Sequence, residues 1–246
     1  MIDQEPPKPR VLPHSADALV VRFSEAMDDK ANKAALLLAR RLGTKNFEGV
    51  EEVVPALASV FVRFDTQKTS PVDLSEQLST LALACWTEDF SRNEQSRLWH
   101  IPACYDPELA GNLSEAASLA GLTMDQAVKS LSTTELRVLA IGFAPGQPYL
   151  GQFDKEWDIP RLVGVTPSVP AGALVVAVRQ FVLFDNPSPT GWRHVGQTAF
   201  RCFRPETTDP FPLRAGDRVL FPSVSLVEFD TLAASPTGGA VMEAAQ

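Results

Sequence analysis

At 246 residues, with apolar side chains making up 45% and charged ones 21%, the chain has the balance of a globular protein of one large or two modest domains, and not of a disordered or fibrous one. A formal net charge of −8 argues against nucleic acid as the main partner, because phosphate binding needs a clustered cationic surface. No stretch approaches the roughly 18 to 20 uncharged apolar residues of a membrane helix, and the N-terminus MIDQEPPKPR lacks the basic end and apolar run of a secretory signal; the expectation is a cytoplasmic protein with no membrane association.

ALVVRF (Ala18 to Phe23) predicts a strand, and Asp28 to Gly43 a helix with acids at its start, arginines in its last turn and glycine to close it. VEEVVPAL and SVFVRFD, between Val50 and Asp65, predict two strands sharing a tight turn. In SPVDLSEQLSTLALACW, Ser70 reads as N-cap and Pro71 as the first helical residue, while Leu74, Leu78, Leu81 and Cys85 mark one buried face. The order βαββα predicts a small α+β sandwich domain over residues 9–90. Thr87 to Arg97 is polar, mixed in charge and aperiodic, which predicts a linker.

LWHIPACY then predicts a strand, followed by two short helices around Asn112 to Ala120 and Thr123 to Ser132, the second opened by a Thr123/Gln126 capping box. Glu115, Asp125 and Glu135 against Lys129 and Arg137 make this pair a poor DNA-binding helix-turn-helix. Ten of the fourteen glycines and twelve of the twenty prolines lie beyond Ala140, and they separate short β-rich runs: RVLAIGF, ALVVAVRQFVLF, HVGQTAFRCF and DRVLFP. That texture predicts a β-barrel or sandwich domain over residues 98–225. The small, polar residues at the end predict a disordered tail over 226–246.

No complete catalytic motif is present. Cys85, Cys104 and Cys202 have neither CxxC nor metal-ligand spacing and read as buried apolar residues; His14, His100 and His194 are far apart, so no metal site is expected. Ser188 and His194 lack a GxSxG elbow, and no glycine motif for nucleotide phosphates occurs, so the catalytic residues are unassigned.

The glycine-proline loops carry the remaining signal. Glycine opens backbone conformations closed to other residues and proline fixes φ, so loops rich in both are rigid and allow close approach. In order they are GFAPGQPYLG, with Gly142, Phe143, Pro145, Gly146 and Tyr149; the dipeptide Pro160-Arg161; VPAGA, with Pro170, Ala171 and Gly172; Gln180; SPTGW, with Ser188, Pro189, Gly191 and Trp192; and VGQT, with Gly196 and Thr198. This series resembles the 5-oxoprolinase B-subunit family, also called the KipI or allophanate hydrolase subunit 1 family (carboxyltransferase domain, subdomains C and D). Its members carry GF.PG..YL, PRR..PR..VPAGSVAIA, a glutamine before a short aromatic-containing segment, SPGGW and IGRTP. IPACYDPEL at Ile101 to Leu109 and VVPALASVFVRFD extend the resemblance, which spans about Pro9 to Ser223.

The resemblance implies an N-terminal α+β domain followed by a C-terminal cyclophilin-like β-barrel, with the seventeen loop residues just named lining a site. It implies a C-subunit-like partner of the allophanate hydrolase subunit 2 family and an A-subunit-like partner of the LamB/YcsF family. Together these open the small cyclic amide 5-oxoproline to glutamate with Mg-dependent ATP, the single chain being inactive alone and carrying no biotin. It also implies two other readings: a KipI-like inhibitor of a sensor histidine kinase, or the carboxyltransferase half of a biotin-dependent urea or amide carboxylase. Several cationic or aromatic motif positions differ here: Leu162, Thr166 and Gln197 replace arginines, Gln147 replaces a phenylalanine, and Leu131 and Leu136 stand for a histidine and a tyrosine. Arg161 is the one arginine of the motif set that remains.

Overall fold

Alternating buried and half-buried side chains along SVFVRF make β4 (Ser59–Phe64) an inner strand of a four-stranded antiparallel sheet. The structure is a computed structural model describing residues 9–44, 47–90 and 96–243. β4 lies between β2 (Ala18–Arg22) and β3 (Val50–Ala56), and β1 (Arg10–Ser15) completes the order β1-β2-β4-β3. Helices α1 (Asp29–Thr44) and α2 (Pro71–Trp86) supply Leu38, Leu42, Leu74 and Leu78 to a core with Val21, Val60, Val62 and Phe64. Ser70 caps α2 as expected, its hydroxyl accepting the Asp73 N–H at 3.1 Å. The element order is ββαββα, one strand more than the sequence pattern suggested. RVLPHS shows no alternating apolar face because β1 is an edge strand, where Pro13 is tolerated.

Two compact units divide within the segment expected as a linker, of which residues 91–95 lie outside the described residues. The second unit has its own core. It runs through β5 (Leu98–His100), β6 (Ala103–Cys104), α3 (Leu113–Leu119), α4 (Met124–Thr133), β7 (Leu136–Ile141) and β8 (Pro148–Gly151). It continues with β9 (Thr166–Val169), β10 (Ala173–Ala177), β11 (Gln180–Leu183), β12 (Ser188–Thr190), β13 (Arg193–Thr198), β14 (Arg218–Leu220) and β15 (Ser223–Val224). Helix α5 (Leu226–Ala233) and β16 (Val241–Glu243) follow.

Ten of these strands form one curled sheet in the order β15-β6-β13-β10-β11-β8-β7-β14-β5-β16. β5 and β6 are one extended run interrupted at Pro102, and β14 and β15 are another interrupted at Pro222. The two runs pair in parallel from Arg218↔Leu98 to Val224↔Cys104. Between them the Ile101 and Ala103 N–H groups donate to the Leu220 and Pro222 carbonyls, so the ladder returns on itself. Leu150, Leu174, Val176, Phe181, Leu183 and Val219 face the enclosed core, against which α3 and α4 pack Ala116, Ala117, Ala127 and Leu131. The opposite face of β10 and β11 is covered by the β9–β12 ribbon and by Trp192, forming a second cluster with Val169, Val175, Val182 and Phe184. A strand buried on both faces loses its alternation, which is why ALVVA is apolar at every position.

The expected disordered tail is corrected over most of its length. α5 opens with a Ser225/Glu228 capping box, and β16 pairs with β5 from Val241↔His100 to Glu243↔Leu98; residues 244–246 lie outside the described residues. Small residues in this stretch mark close packing: at Gly238 a Cβ would stand 2.5 Å from the Ala199 backbone.

Candidate functional site

The loop from Gly142 to Gln147 joins β7 to β8 and is closed by two of its own hydrogen bonds. The Gly142 N–H donates to the Gln147 carbonyl (3.0 Å) and the Gln147 N–H to that of Ala144 (3.1 Å). Phe143 holds a left-handed φ of +72°, is 76% exposed, and sets its ring edge-on to Phe184 at 6.4 Å. Gly146, at φ +74°, presses on the next segment so closely that a Cβ would lie 2.3 Å from the Cys202 carbonyl oxygen. Gly172 is in the same position against β13: its φ is +81° and a Cβ would lie 2.0 Å from the Thr198 carbonyl oxygen. The Gly172 N–H donates to the Phe184 carbonyl, the Thr198 N–H to the Gly172 carbonyl, and Gln197 Nε2 to the Ala171 carbonyl at 2.5 Å. The loops carrying Gly142, Phe143, Pro145 and Gly146, then Pro170, Ala171 and Gly172, then Thr198, therefore meet at one end of the curled sheet. Gly196 sits just below, where a Cβ would lie 3.0 Å from the Tyr105 ring.

The other motif residues gather elsewhere. Gln180 pairs with Gly151 and Ala177 at the far end of β10, about 13 Å along the strand. There the Val178 and Arg179 N–H groups donate to the Ile159 and Trp157 carbonyls. The Leu162 N–H donates to the Gly191 carbonyl at 2.7 Å, tying the Pro160-Arg161 segment to SPTGW. Arg161 is exposed, stands 5.4 Å over the Trp192 ring and has no carboxylate partner among the described residues. Ser188 and Pro189 lie on β12, and Tyr149 and Trp192 pack in the cluster beneath the ribbon. The motifs thus divide between two ends and one covered face.

Four residues outside the expected set prove informative. Arg193, 5% exposed, donates through Nη1 to the Pro160 carbonyl and through Nη2 to Glu115 Oε1 (2.9 Å), so it braces the segment that carries Arg161. The sequence signal was an arginine directly after SPTGW, at the head of an apolar run. Asp185 accepts the Cys202 N–H at 2.5 Å and that of Phe203, and burial raises its carboxyl above the usual range. Arg204 and Gln147 have buried polar atoms without a partner among the described residues, and Gln147 stands out in the sequence solely as a motif departure.

Burial pushes the Cys85, Cys104 and Cys202 thiols up, which makes them inert. Burial also holds the His194 imidazole below its ordinary value, beside Gln197. Among the described residues no group of three His, Cys, Asp or Glu could hold a metal ion, and no helix is long and apolar enough to cross a membrane. An apolar groove of about 300 Å³ in the first unit, between β1 and the start of α2, contains none of the expected site residues.

The family described as carboxyltransferase domain, subdomain C and D, matches residues 9–213. The chain belongs to this family. Within it, the chain is 32% identical over 222 residues to the 5-oxoprolinase B subunit of Bacillus subtilis (strain 168), covering 85% of this chain and 90% of that one. It is 29% identical over 204 residues to the 5-oxoprolinase B subunit of Escherichia coli O157:H7, covering 83% and 91%. Among solved structures, TTHA0988 matches at 33% identity with a TM-score of 0.71 over 85% of this chain, which spans 40% of that chain's length. The Kluyveromyces lactis urea amidolyase, at 16% identity, has a TM-score of 0.74 over 99% of this chain and 17% of its own, and shares the fold. The mixed α/β architecture with its curled sheet is thus that of a carboxyltransferase C and D domain.

Proposed function

We propose that this member of the carboxyltransferase C and D family is the B-subunit-like component of a 5-oxoprolinase-like complex that opens the lactam 5-oxoproline to glutamate. A C-subunit-like partner closes the site, and an A-subunit-like partner completes the enzyme. The reading is carried by 32% identity across nearly the full length of a protein named as the B subunit of 5-oxoprolinase. In it, the closed ladder of the second unit is the cyclophilin-like barrel of the family, and the loops at its Gly146 end shape the site for the substrate.

Mg-ATP belongs to the complex in this reading, but the residues described here do not fit it. The two N–H groups at Gly142 and Gln147 that a phosphate would seek are bonded within their own loop. No carboxylate cluster offers Mg²⁺ a site among the described residues. The nucleotide is therefore assigned to a partner, and with it the inactivity of this chain by itself.

Co-expression with C-subunit-like and A-subunit-like proteins, followed by size-exclusion chromatography and a glutamate-release assay, tests the proposal. The expected result is a single co-eluting complex that releases glutamate from 5-oxoproline with ATP, while the purified chain alone releases none. Separate elution at micromolar concentration with no turnover in the mixture, or sustained turnover by the lone chain, would overturn it.

A further inference from the structure

Side chains at the Gly146 end of the sheet carry hydrogen-bonding capacity that the fold does not use, Gln147 and Arg204 among them. Gln147 is 1% exposed, yet neither its amide nitrogen nor its amide oxygen has a partner among the described residues. Arg204 is similar at one atom: Nη2 is buried and unpartnered, while Nε donates to the Arg201 carbonyl at 3.1 Å and the guanidinium stands 4.7 Å over the Phe200 ring. Burying such groups unpaired is unfavourable, and an apolar residue of similar volume would avoid the cost.

The two lie on neighbouring segments. Gly146, adjacent to Gln147, is pressed against the Cys202 carbonyl, and the Cys202 N–H is held by Asp185, whose carboxyl acts electrostatically on Arg204. Asp185 is thus a positioning residue for the segment that carries Arg204. Phe143, on the same loop, is exposed to solvent.

We propose that Gln147 and Arg204 form a subsite for a lactam acid, in which the Gln147 carboxamide reads the ring amide and Arg204 the carboxylate. A carboxamide with both atoms free presents one acceptor and one donor side by side. Its complement is an amide whose N–H and C=O point the same way. Open-chain peptide amides are trans and cannot offer that edge, whereas a five-membered lactam is held cis by its ring. The remaining N–H of a guanidinium is a strong donor to a carboxylate. This inference rests on the lactam-opening reading and deepens it by locating ring recognition on a residue particular to this chain, the motif of the family carrying phenylalanine where Gln147 stands.

Binding is measured by calorimetry on the full chain and on the assembled complex, with 5-oxoproline, 2-pyrrolidinone, N-methyl-2-pyrrolidinone and urea as probes. 5-Oxoproline is expected to bind tightest, and 2-pyrrolidinone about tenfold weaker for want of the carboxylate. N-methyl-2-pyrrolidinone, which lacks the N–H, should bind at least about a hundredfold weaker than 5-oxoproline. Gln147→Leu should remove lactam binding while leaving the melting temperature equal or higher. Arg204→Met should bring 5-oxoproline down to the level of 2-pyrrolidinone.

Binding of either lactam within twofold of the parent in Gln147→Leu, equal binding of the N-methyl compound, or no lactam binding by chain and complex would each sink the subsite. Urea binding tighter than 2-pyrrolidinone would reassign the cis-amide edge to urea-type ligands and overturn the lactam assignment. Lactam opening by a complex containing Gln147→Leu at the parental rate would remove the subsite and leave the proposed function standing. Gln147-dependent lactam binding in a complex that opens no lactam would do the reverse.

Discussion

Gly146, Gly172 and Gly191 stand in equivalent-looking glycine motifs, but their backbones make different demands. The first two combine a left-handed φ with a carbonyl oxygen 2.3 and 2.0 Å from where a Cβ would sit, whereas a Cβ at Gly191 would meet nothing within 4 Å. A left-handed L-residue costs roughly 1–2 kcal/mol and overpacking another 1–3. Gly146→Ala and Gly172→Ala should each destabilise the chain by about 2–5 kcal/mol in urea unfolding. Gly191→Ala should stay within about 0.5 kcal/mol. Equal effects at all three positions would contradict the close packing of the two loops.

A similar contrast separates two arginines. Arg193 is buried and bonded to Pro160 and Glu115, whereas Arg161 is exposed over Trp192. Arg193→Ala removes a part-buried, charge-assisted hydrogen bond to the Pro160 carbonyl and should cost about 1–3 kcal/mol; Glu115 is half exposed, so its share is small. Arg161→Ala should leave the melting temperature unchanged and show its effect, if the segment meets the partner, as weaker complex formation. Chemical unfolding and complex assembly measured on both variants separate the roles. A stability loss at Arg161 matching that at Arg193 would assign bracing to both.

At the scale of elements, α5 and β16 are the part of the fold most easily misread. Alanine, serine, threonine and glycine dominate from Ala233 onward, a composition that suggests a solvated tail. The helix is nevertheless specified by the Ser225/Glu228 capping box, with Ser225 Oγ accepting the Glu228 N–H at 3.3 Å and the Glu228 carboxylate accepting the Ser225 N–H at 2.8 Å. Ser225→Ala should remove about 1 kcal/mol from the local opening free energy of α5 and raise hydrogen exchange over residues 226–233 several-fold. Rapid exchange there in the parent protein would restore the disordered tail. Other elements were legible for definite reasons. α2 has a capping serine, an N1 proline and one apolar face, and α4 has its Thr123/Gln126 box, both signals local to a few residues. β1 was missed because an edge strand buries too little to require alternation.

At the scale of the whole molecule, each unit builds its own core, and the apolar patterning that creates those cores was visible in the sequence. So were the motif order and the family it indicated, since both depend on residue identity in a linear series. Where the loops would meet was not legible. The sequence places the glycine-proline motifs close together along the chain and invites a single rim. In the folded protein, however, Gln180, Pro160 and Arg161 lie toward one end of β10, and Gly146, Gly172 and Thr198 lie at the other. Antiparallel hairpins alternate the ends at which successive loops emerge, so neighbours in sequence become opposites in space.

Composition and periodicity determined that this chain would bury two apolar cores, cap its helices where it does and carry rigid loops, because those properties follow from backbone sterics and the burial of side chains a few residues apart. Only the tertiary structure decided which loops face one another, that Arg193 rather than Arg161 braces the Pro160 segment, and that Gln147 is buried with both amide atoms unpaired among the described residues. Those facts depend on atoms distant in sequence brought within hydrogen-bonding range, and on a ladder that closes through a parallel pairing of residues 98–104 with 218–224. No local pattern encodes a contact across more than a hundred residues; the free energy of the closed sheet selects it.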